Sequence, residues 1–305
     1  MTLGERGFVT IATGKIHYYK IAANLLESYR VHTDNPYPFA IIAESENQYT
    51  KLFDYSIIID NPDRGYINKL RLFEYLPFEE TIFIDADCLA YGDLNVWWTL
   101  FRDADDFSVF GSMYEPKDNK GWFLYDGMKE WKDKISFVPD FNGGVYYIRN
   151  TERARKVFDI ARTCVSNYRE YSFNGFPDPA DEPVIALGMA VCGCKPIPTV
   201  HDSNRELLFY PIWNPKSVEM DISIPKAVFY HPDYEKGDLV RLIHWSAAKA
   251  KESVYKSQVW RLRHRESNKG ITFVANQYMK VYDVIVRLKN IVRPSYNALR
   301  TFFNK

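Results

Sequence analysis

The sequence has little cysteine, no excess of charge of either sign and no long apolar run. Its 305 residues include four cysteines with no Cys-x-x-Cys spacing, which argues against a disulfide scaffold and a cysteine-rich zinc site. Lys plus Arg equals Asp plus Glu, at 39 each, so nucleic acid is not expected as the main partner. No window of about 18 apolar residues is present to span a membrane, and Met1–Arg6 lacks an apolar signal core. The sequence therefore predicts a cytoplasmic protein.

Short apolar runs alternate with helical stretches through the first half of the chain. Strands are predicted at 8–12, 39–43, 56–59, 81–84, 107–111 and 144–148, and helices at 17–30, 66–76, 151–169 and 181–191. Thr151 is suited to cap the helix that follows it. The alternation is typical of βαβ units and predicts an α/β fold. Residues 196–235 are rich in proline and aromatics and give no clear assignment.

The most informative segment is the apolar run Thr81–Ile84, which ends in the carboxylates Asp85 and Asp87. Taken alone, the pattern also fits a strand followed by an acidic turn. In α/β sheets, however, ligands bind just beyond the carboxyl ends of the strands. Two carboxylates at such a place are suited to hold a hard divalent cation. That cation could in turn neutralise the phosphates of a nucleotide.

The surroundings of this pair resemble glycosyltransferase family 8, which includes glycogenin and bacterial lipooligosaccharide galactosyltransferases. The resemblance runs from about Phe8 to His244. It is carried, in order, by Asn68–Leu76, Asp85-Ala86-Asp87, Gly92-Asp93-Leu94, Phe141–Ile148, Asp181-Glu182 and Ile243-His244-Trp245.

This resemblance implies a GT-A fold, a Rossmann-like mixed sheet flanked by helices. It also implies a retaining transfer of a hexose from a UDP-sugar, with UDP-glucose or UDP-galactose favoured, to a hydroxyl of a glycan or lipid-linked acceptor. Asp85, Asp87 and His244 would bind Mn²⁺ or Mg²⁺. Two carboxylates, one imidazole and two diphosphate oxygens make a plausible octahedral Mn²⁺ site.

The resemblance also implies which residues bind the donor. They are Thr10, Ile11, Ala12 and Thr13 facing uridine, Tyr18 stacking on the base, and Lys69 and Ala86 near the diphosphate-sugar. Spacing alone favours another interpretation for two of them. Tyr18 would be a core aromatic of an amphipathic helix, and Lys69 a cation in a first helical turn.

Two further segments would approach the sugar. Asn142 offers a donor and an acceptor to a hydroxyl, and Gly143 and Gly144 allow close approach of the backbone; a tight turn before a strand is the alternative. Asp181, at the start of a predicted helix, matches an aspartate that binds the donor sugar. Glu182 follows it and, as a carboxylate, is a candidate nucleophile or stabiliser of an oxocarbenium-like transition state.

The chain departs from the family pattern at three places. Gly143 stands where a serine is usual, and Glu182 where a glutamine is usual. After His244 the family continues to a Lys-Pro-Trp whose lysine contacts the diphosphate, and that segment is absent here. Lys249, or alternatively Lys251, is predicted to supply this cation because a charge on a flexible stem tolerates displacement.

Residues 1–250 are predicted to form the GT-A domain and residues 251–305 a basic amphipathic helical extension. Within 271–305 there are six Lys/Arg and one acid, Asp283. Its apolar face comprises Tyr278, Val281, Tyr282, Ile285, Leu288 and Val292. Such a helix either lies on an anionic membrane, which would make the protein peripheral at the inner face, or packs on the domain.

Two other functions remain open at this point. One is a catalytically silent nucleotide-sugar-binding or scaffold protein, which the altered segment after His244 supports. The other is a phosphohydrolase of the haloacid dehalogenase type, which also places Asp-x-Asp after an apolar strand. There the motif opens the domain and continues with Gly-Thr, whereas here it continues with Cys88. The sequence does not define the sugar, the acceptor or the oligomeric state.

Overall fold

The computed structural model describes residues 3–63, 65–201, 206–212, 218–223, 226–229 and 239–265, and six positions of a C-terminal helical segment, namely 277, 280, 281, 284, 285 and 288. The strands are β1 (Arg6–Ala12), β2 (Phe39–Ala43), β3 (Tyr55–Ile58), β4 (Glu80–Ile84), β5 (Cys88–Ala90), β6 (Phe107–Tyr114), β7 (Val138–Arg149), β8 (Val200–His201), β9 (Glu206–Leu207), β10 (Tyr210–Pro211), β11 (Val218–Asp221), β12 (Lys226–Phe229), β13 (Leu239–Val240) and β14 (Leu242–His244). The α-helices are α1 (Ile16–His32), α2 (Trp97–Leu100), α3 (Glu152–Ser166), α4 (Asp181–Cys192), α5 (Ser246–Lys249) and α6 (Ser253–Arg263).

The central sheet has six strands in the order β3-β2-β1-β4-β7-β6. The first four run parallel, and β7 pairs antiparallel with both β4 and β6. All five residues of β2 are buried, as expected for a parallel strand covered on both faces. One apolar cluster, which includes α3 and α4, covers one face, and another, which includes α1, covers the other. The predicted mixed α/β sheet flanked by helices is confirmed.

The local predictions hold with small shifts in their bounds, and Thr151 caps α3 by accepting from the Ala154 N–H. One stretch differs. The helix predicted at 66–76 is a 3-10 helix over Gly65–Tyr75. Leu70, Leu72 and Phe73 are buried, and positions spaced by two residues and then by one do not form a single apolar stripe of α-helical period.

Two smaller sheets bring the later part of the chain to the central one. A three-stranded sheet has the order β10-β14-β5, and a five-stranded sheet contains the other short strands. β5 begins directly after Asp87, and β14 pairs with it so that His244 lies opposite Cys88. The sequence did not predict β5 or β14, yet their pairing sets the position of His244.

The ladder between β6 and β7 is interrupted. Val109 lies opposite Tyr146, but Gly111 lies opposite Phe141, so several residues of β7 face a single residue of β6. Asn142, Gly143 and Gly144 lie in this bulge, and the Gly144 carbonyl accepts a hydrogen bond from the Asp85 N–H at 2.9 Å. Bulges re-aim side chains next to functional sites. This one directs Asn142 toward the end of β4.

Helix α6 packs on α1. The Asn24 side-chain amide donates to the Tyr255 hydroxyl at 3.1 Å and accepts from the Arg263 guanidinium at 2.8 Å. The proposed domain boundary at residue 250 stays a prediction. In the described parts of the chain, no helix has both the length and the apolar character needed to cross a membrane.

Candidate functional site

A cleft of about 1090 Å³ opens at the carboxyl ends of β1 and β4. The predicted site residues that line it are Ile11, Ala12, Thr13, Tyr18, Lys69, Asp85, Ala86, Asp87, Asn142, Asp181, Glu182 and His244. These residues come from elements far apart in the chain, and the fold brings them to one cleft. The position agrees with the rule that α/β proteins bind ligands beyond the carboxyl ends of their strands.

Some predicted residues lie elsewhere. Thr10 is fully buried within β1 and is not among the residues that line the cleft. Lys249 also lies outside the lining, and its Nζ is 3.1 Å from a Glu252 carboxylate oxygen. After His244 the chain buries Trp245 and turns into α5. Lys249 was assigned by nearness in sequence alone, and that turn directs the chain away from the lining.

Asp85, Asp87 and His244 converge beside the end of β4. The His244 Nε2 lies 3.1 Å from an Asp87 carboxylate oxygen and 3.6 Å from one of Asp85. The backbone fixes this arrangement, because the Trp245 N–H donates to the Asp87 carbonyl at 3.0 Å. Two carboxylates and one imidazole are thus presented together from β4, β5 and β14.

Asn142 sets the tautomer of His244. The Asn142 Oδ1 accepts from the Gly144 N–H at 3.2 Å, and its amide nitrogen faces the Glu182 carboxylate at 3.3 Å. Since Oδ1 is an acceptor, the His244 Nδ1 lying 2.6 Å from it must carry the proton. In the neutral ring, the Nε2 lone pair then faces the two carboxylates, the orientation that a metal-binding histidine needs.

Charge coupling is strong in this cluster. Burial disfavours both charged groups, but their mutual attraction and hydrogen bond outweigh it, which lowers the pKa of Asp87 and raises that of His244. Burial raises the pKa of the Asp85 carboxyl to about 6, opposed by Lys69. A cation binding among these groups would replace the proton on the imidazole, so its affinity would depend on pH.

The Cys88 thiol is also near. Asp87, Cys88 and His244 each offer a ligand atom, and these atoms lie within 4.8 Å of one another. A thiol ligates as the thiolate, but burial and the adjacent carboxylates raise the pKa of Cys88 well above its ordinary value. The carboxylates and imidazole therefore form the better donor set, and they fit Mn²⁺ or Mg²⁺ rather than a soft metal.

Lys69 is held between two carboxylates on the other side of the cluster. Its Nζ lies 2.8 Å from an Asp85 oxygen and 2.9 Å from an Asp181 oxygen, and it donates to the Gly143 carbonyl at 3.1 Å. The Tyr146 hydroxyl donates to Asp181 at 2.6 Å. Burial opposes the charge on Lys69, but Asp181 and Asp85 outweigh it and raise its pKa. The ammonium therefore stays charged at neutral pH.

Glu182 occupies the first turn of α4 next to this group. Its Oε1 accepts from the Gly143 N–H at 2.9 Å, which orients the carboxyl toward the bulge of β7. Burial, and then the charge of Asp181, raise the pKa of Glu182 to about 7. A carboxyl in a cleft that titrates near neutrality is typical of catalytic groups.

The two glycines of the bulge leave room for the neighbouring side chains. A Cβ at Gly143 would lie 2.7 Å from Asp181 Oδ2 and 2.8 Å from the Tyr146 hydroxyl. A Cβ at Gly144 would lie 2.9 Å from His244 Nδ1. The crowding therefore explains why position 143 carries a glycine and not the serine that is usual in the family the sequence resembles.

We expect Gly143→Ser to destabilise the protein by about 1 to 3 kcal/mol, because the added atoms overpack the contact between Asp181 and Tyr146. Urea unfolding measures the change. Gly4→Ala is the control, since its Cβ would meet Phe78 at an ordinary 3.8 Å. Equal stability of the two variants would contradict the crowding at Gly143.

The opposite end of the cleft has an aromatic and two polar groups. Tyr18 is 36% exposed and lines the cleft, so it is not the core residue that spacing alone indicated. The Asn68 amide donates to the Thr13 hydroxyl at 3.3 Å. This end is suited to a flat ring with polar edges, such as a nucleobase.

Sequence reasoning missed part of the lining. Trp122, Phe176, Asp140 and Ser112 also face the cleft. Two of them come from loops that no periodic pattern marks. The high aromatic content of the chain indicated an aromatic-lined site, but it did not indicate which residues form it.

No family model and no curated protein matches this sequence. Its structure is similar to that of the galactosyltransferase LgtC, solved with donor and acceptor sugar analogues, at 14% identity and a TM-score of 0.44 over 89% of this chain and 95% of LgtC. Mouse xyloside xylosyltransferase 1 is similar at 9% identity and a TM-score of 0.49, over 81% of this chain and 99% of that protein. Both of these proteins are glycosyltransferases.

A third similar structure is that of the glycosyltransferase GlyE of Streptococcus pneumoniae, at 14% identity and a TM-score of 0.41. That match covers 67% of this chain and 47% of GlyE, so the chain spans about half the length of that protein. These likenesses concern architecture.

Proposed function

We propose that the protein is a metal-dependent retaining glycosyltransferase that moves a hexose from a UDP-sugar to a hydroxyl of a glycan or glycolipid. One observation carries the proposal. Asp85, Asp87 and His244 converge within a cleft that also holds the Asp181-Glu182 pair. A cation site next to a carboxyl pair is suited to stabilise both the departing diphosphate and the positive charge that develops on the sugar.

The residues present fit a bound divalent cation. Asp85 and Asp87 would supply oxygen, and His244 would supply the Nε2 that Asn142 orients. The cation, when bound, would neutralise the charge that develops on the departing diphosphate. Lys69 adds a fixed positive charge beside it, since its ammonium is held by Asp85 and Asp181.

The protein side chains have separate roles in this proposal. Tyr18 would stack on uracil, and Asn142 and Asp181 would hold hydroxyls of the sugar. Glu182 would lie near the anomeric carbon, where its carboxylate either attacks that carbon or stabilises the positive charge that develops on the ring. Retention follows when the bond from the anomeric carbon to the diphosphate oxygen breaks, the acceptor oxygen bonds to the same face, and the proton of the acceptor hydroxyl passes to the departing diphosphate.

The test is UDP release from a panel of UDP-sugars, with Mn²⁺ and with EDTA. We expect slow, metal-dependent hydrolysis of one donor without any acceptor, with UDP-glucose and UDP-galactose as the first candidates. Release that EDTA leaves unchanged would contradict the metal requirement. No release from any member of the panel would contradict the transferase proposal for UDP-sugars.

One observation favours a second candidate function. Lys249 lies outside the lining and is paired with Glu252, so the segment after His244 offers the diphosphate no cation at that position. A catalytically silent nucleotide-sugar-binding protein would tolerate this loss. Calorimetric titration with UDP and Mn²⁺ separates the two functions, because the silent protein would bind UDP without turning over any donor.

We further propose that 271–305 binds an anionic membrane surface. Four apolar side chains of its described positions are exposed, namely Val281, Val284, Ile285 and Leu288. The rest of the predicted apolar face lies outside the described residues. We expect removal of 271–305 to abolish cosedimentation with vesicles containing phosphatidylserine. Vesicles of phosphatidylcholine alone are the control, and unchanged binding to the anionic vesicles would contradict the idea.

A further inference from the structure

The wall of the cleft beyond Glu182 is aromatic. Trp122 and Phe176 stack on each other with ring centroids 5.8 Å apart and an interplanar angle of 23°. Both side chains line the cleft. They come from two loops that are tied together, because Asn174 donates its N–H to the Trp122 carbonyl and its side-chain amide to the Gly121 carbonyl, each at 2.8 Å. The aromatic wall is therefore fixed by hydrogen bonds from Asn174 to two backbone carbonyls.

This aromatic wall is joined directly to the candidate reaction centre. The Trp122 indole N–H donates to the Phe141 carbonyl at 2.7 Å, which fixes the orientation of the ring. Phe141 immediately precedes Asn142, the residue that contacts both Glu182 and His244. A group resting on the indole would thus lie beside the bulge of β7.

Two polar side chains stand next to the aromatic wall. Asp140 and Ser112 are cross-strand partners on β7 and β6, and both line the cleft. A carboxylate accepts hydrogen bonds only, and a hydroxyl both donates and accepts. An aromatic surface bordered by such groups matches a pyranose ring, which has an apolar face of C–H groups and hydroxyls around its edge.

We propose that Trp122, Phe176 and Asp140 form the acceptor subsite and that it takes a neutral pyranoside, whose apolar face rests on the aromatic wall and whose hydroxyls meet Asp140. The inference rests on the proposed transferase function, and it names the acceptor class for that site. The acceptor hydroxyl would approach the anomeric carbon from the side of Phe141 and Asn142.

The charges of the cleft favour a neutral ring over an acidic one. Asp140, Asp181 and Glu182 all face the same space. Among the described residues that line the cleft, the lysine is Lys69, and it already contacts the carboxylates of Asp85 and Asp181. A uronic acid would bring a further negative charge beside Asp140 with no free cation to meet it in the described lining. Neutral pyranosides should therefore bind better than their uronic acid counterparts.

The first experiment measures transfer with Mn²⁺ and the donor that the protein hydrolyses. The acceptors are the methyl α- and β-glycosides of glucose and galactose, lactose, maltose and methyl β-glucuronide. We expect at least one neutral pyranoside to accelerate UDP release. Trp122→Ala should raise the KM of that acceptor at least tenfold more than it raises the donor KM, and Trp122→Phe should restore most of the difference. Equal effects on both KM values would overturn the inference, as would stimulation by methyl β-glucuronide alone.

Trp260→Ala is the matched control, because Trp260 is a partly exposed indole on α6 that stacks on His264 and does not line the cleft. It should change neither KM. Asp140→Asn should narrow the preference for the neutral glycoside over the glucuronide, which a purely structural role of Asp140 would not do.

A second experiment does not require turnover. Saturation-transfer NMR with the same glycosides detects binding to the protein and to the two tryptophan variants. Binding of a neutral glycoside that Trp122→Ala removes and Trp260→Ala retains would support the subsite even if no UDP-sugar is hydrolysed. Donor hydrolysis without any glycoside binding or stimulation would overturn the subsite and leave the transferase proposal standing.

Discussion

Asp87→Asn should lower Mn²⁺-dependent UDP release roughly 10²- to 10³-fold. The substitution keeps the shape of the side chain and removes the charge that faces His244 Nε2 at 3.1 Å. It also removes the attraction that raises the pKa of that imidazole. The expected result follows because an amide is a much weaker ligand than a carboxylate for a hard cation.

The measurement combines turnover with a Mn²⁺ titration followed by electron paramagnetic resonance. We expect the Kd for Mn²⁺ to rise together with the loss of rate. Asp159→Asn is the control, because Asp159 is an exposed aspartate paired with Arg162 on α3. If Asp87→Asn kept both the rate and the affinity for Mn²⁺, Asp87 would not be a metal ligand.

Glu182→Gln should reduce kcat roughly 10²- to 10⁴-fold, the range for a positioned catalytic carboxyl. Glutamine keeps the acceptor for the Gly143 N–H but has no ionised form. Since the pKa of Glu182 in the unliganded protein is about 7, the native kcat/KM should fall as the pH drops below neutrality. Glu170→Gln, an exposed glutamate paired with Lys129, is the control. Full turnover by Glu182→Gln would show that the carboxylate has no catalytic role.

The same substitution should stabilise the metal-free protein at alkaline pH. Folding raises the pKa of Glu182 from 4.5 to about 7, so the folded state binds a proton that the unfolded state has released between these values. The free energy of unfolding therefore falls as the pH rises through this window, and the full penalty remains above it. Glu182→Gln should gain about 1 to 3 kcal/mol at pH 8 and little at pH 5, measured by urea unfolding.

The parts of the fold that the sequence revealed are those set by local patterns. The run before Asp85 is apolar and short, so both its strand character and the position of the carboxylates at its end follow from neighbouring residues alone. The cap of α3 by Thr151 is likewise a local contact. The acidic first turn of α4 marked Asp181 and Glu182 in the same way.

The parts that could not be predicted depend on tertiary pairing. The bulge of β7 is a register shift within its pairing with β6, between Val109 and Gly111, and the sequence carries no local sign of it. Lys249 was assigned by its distance along the chain from His244, and the turn into α5 takes it to Glu252. Trp122 and Phe176 meet only because two loops join through Asn174, a contact that no periodicity encodes.

The pairing of β14 with β5 has a consequence for the order of events during synthesis. Asp85 and Asp87 leave the ribosome long before His244, whose strand must insert beside a segment that has already been made. Until then, a nascent chain presents the two carboxylates without the imidazole of His244. Under the proposed function, the growing polypeptide would be inert toward activated sugars until this late strand has docked.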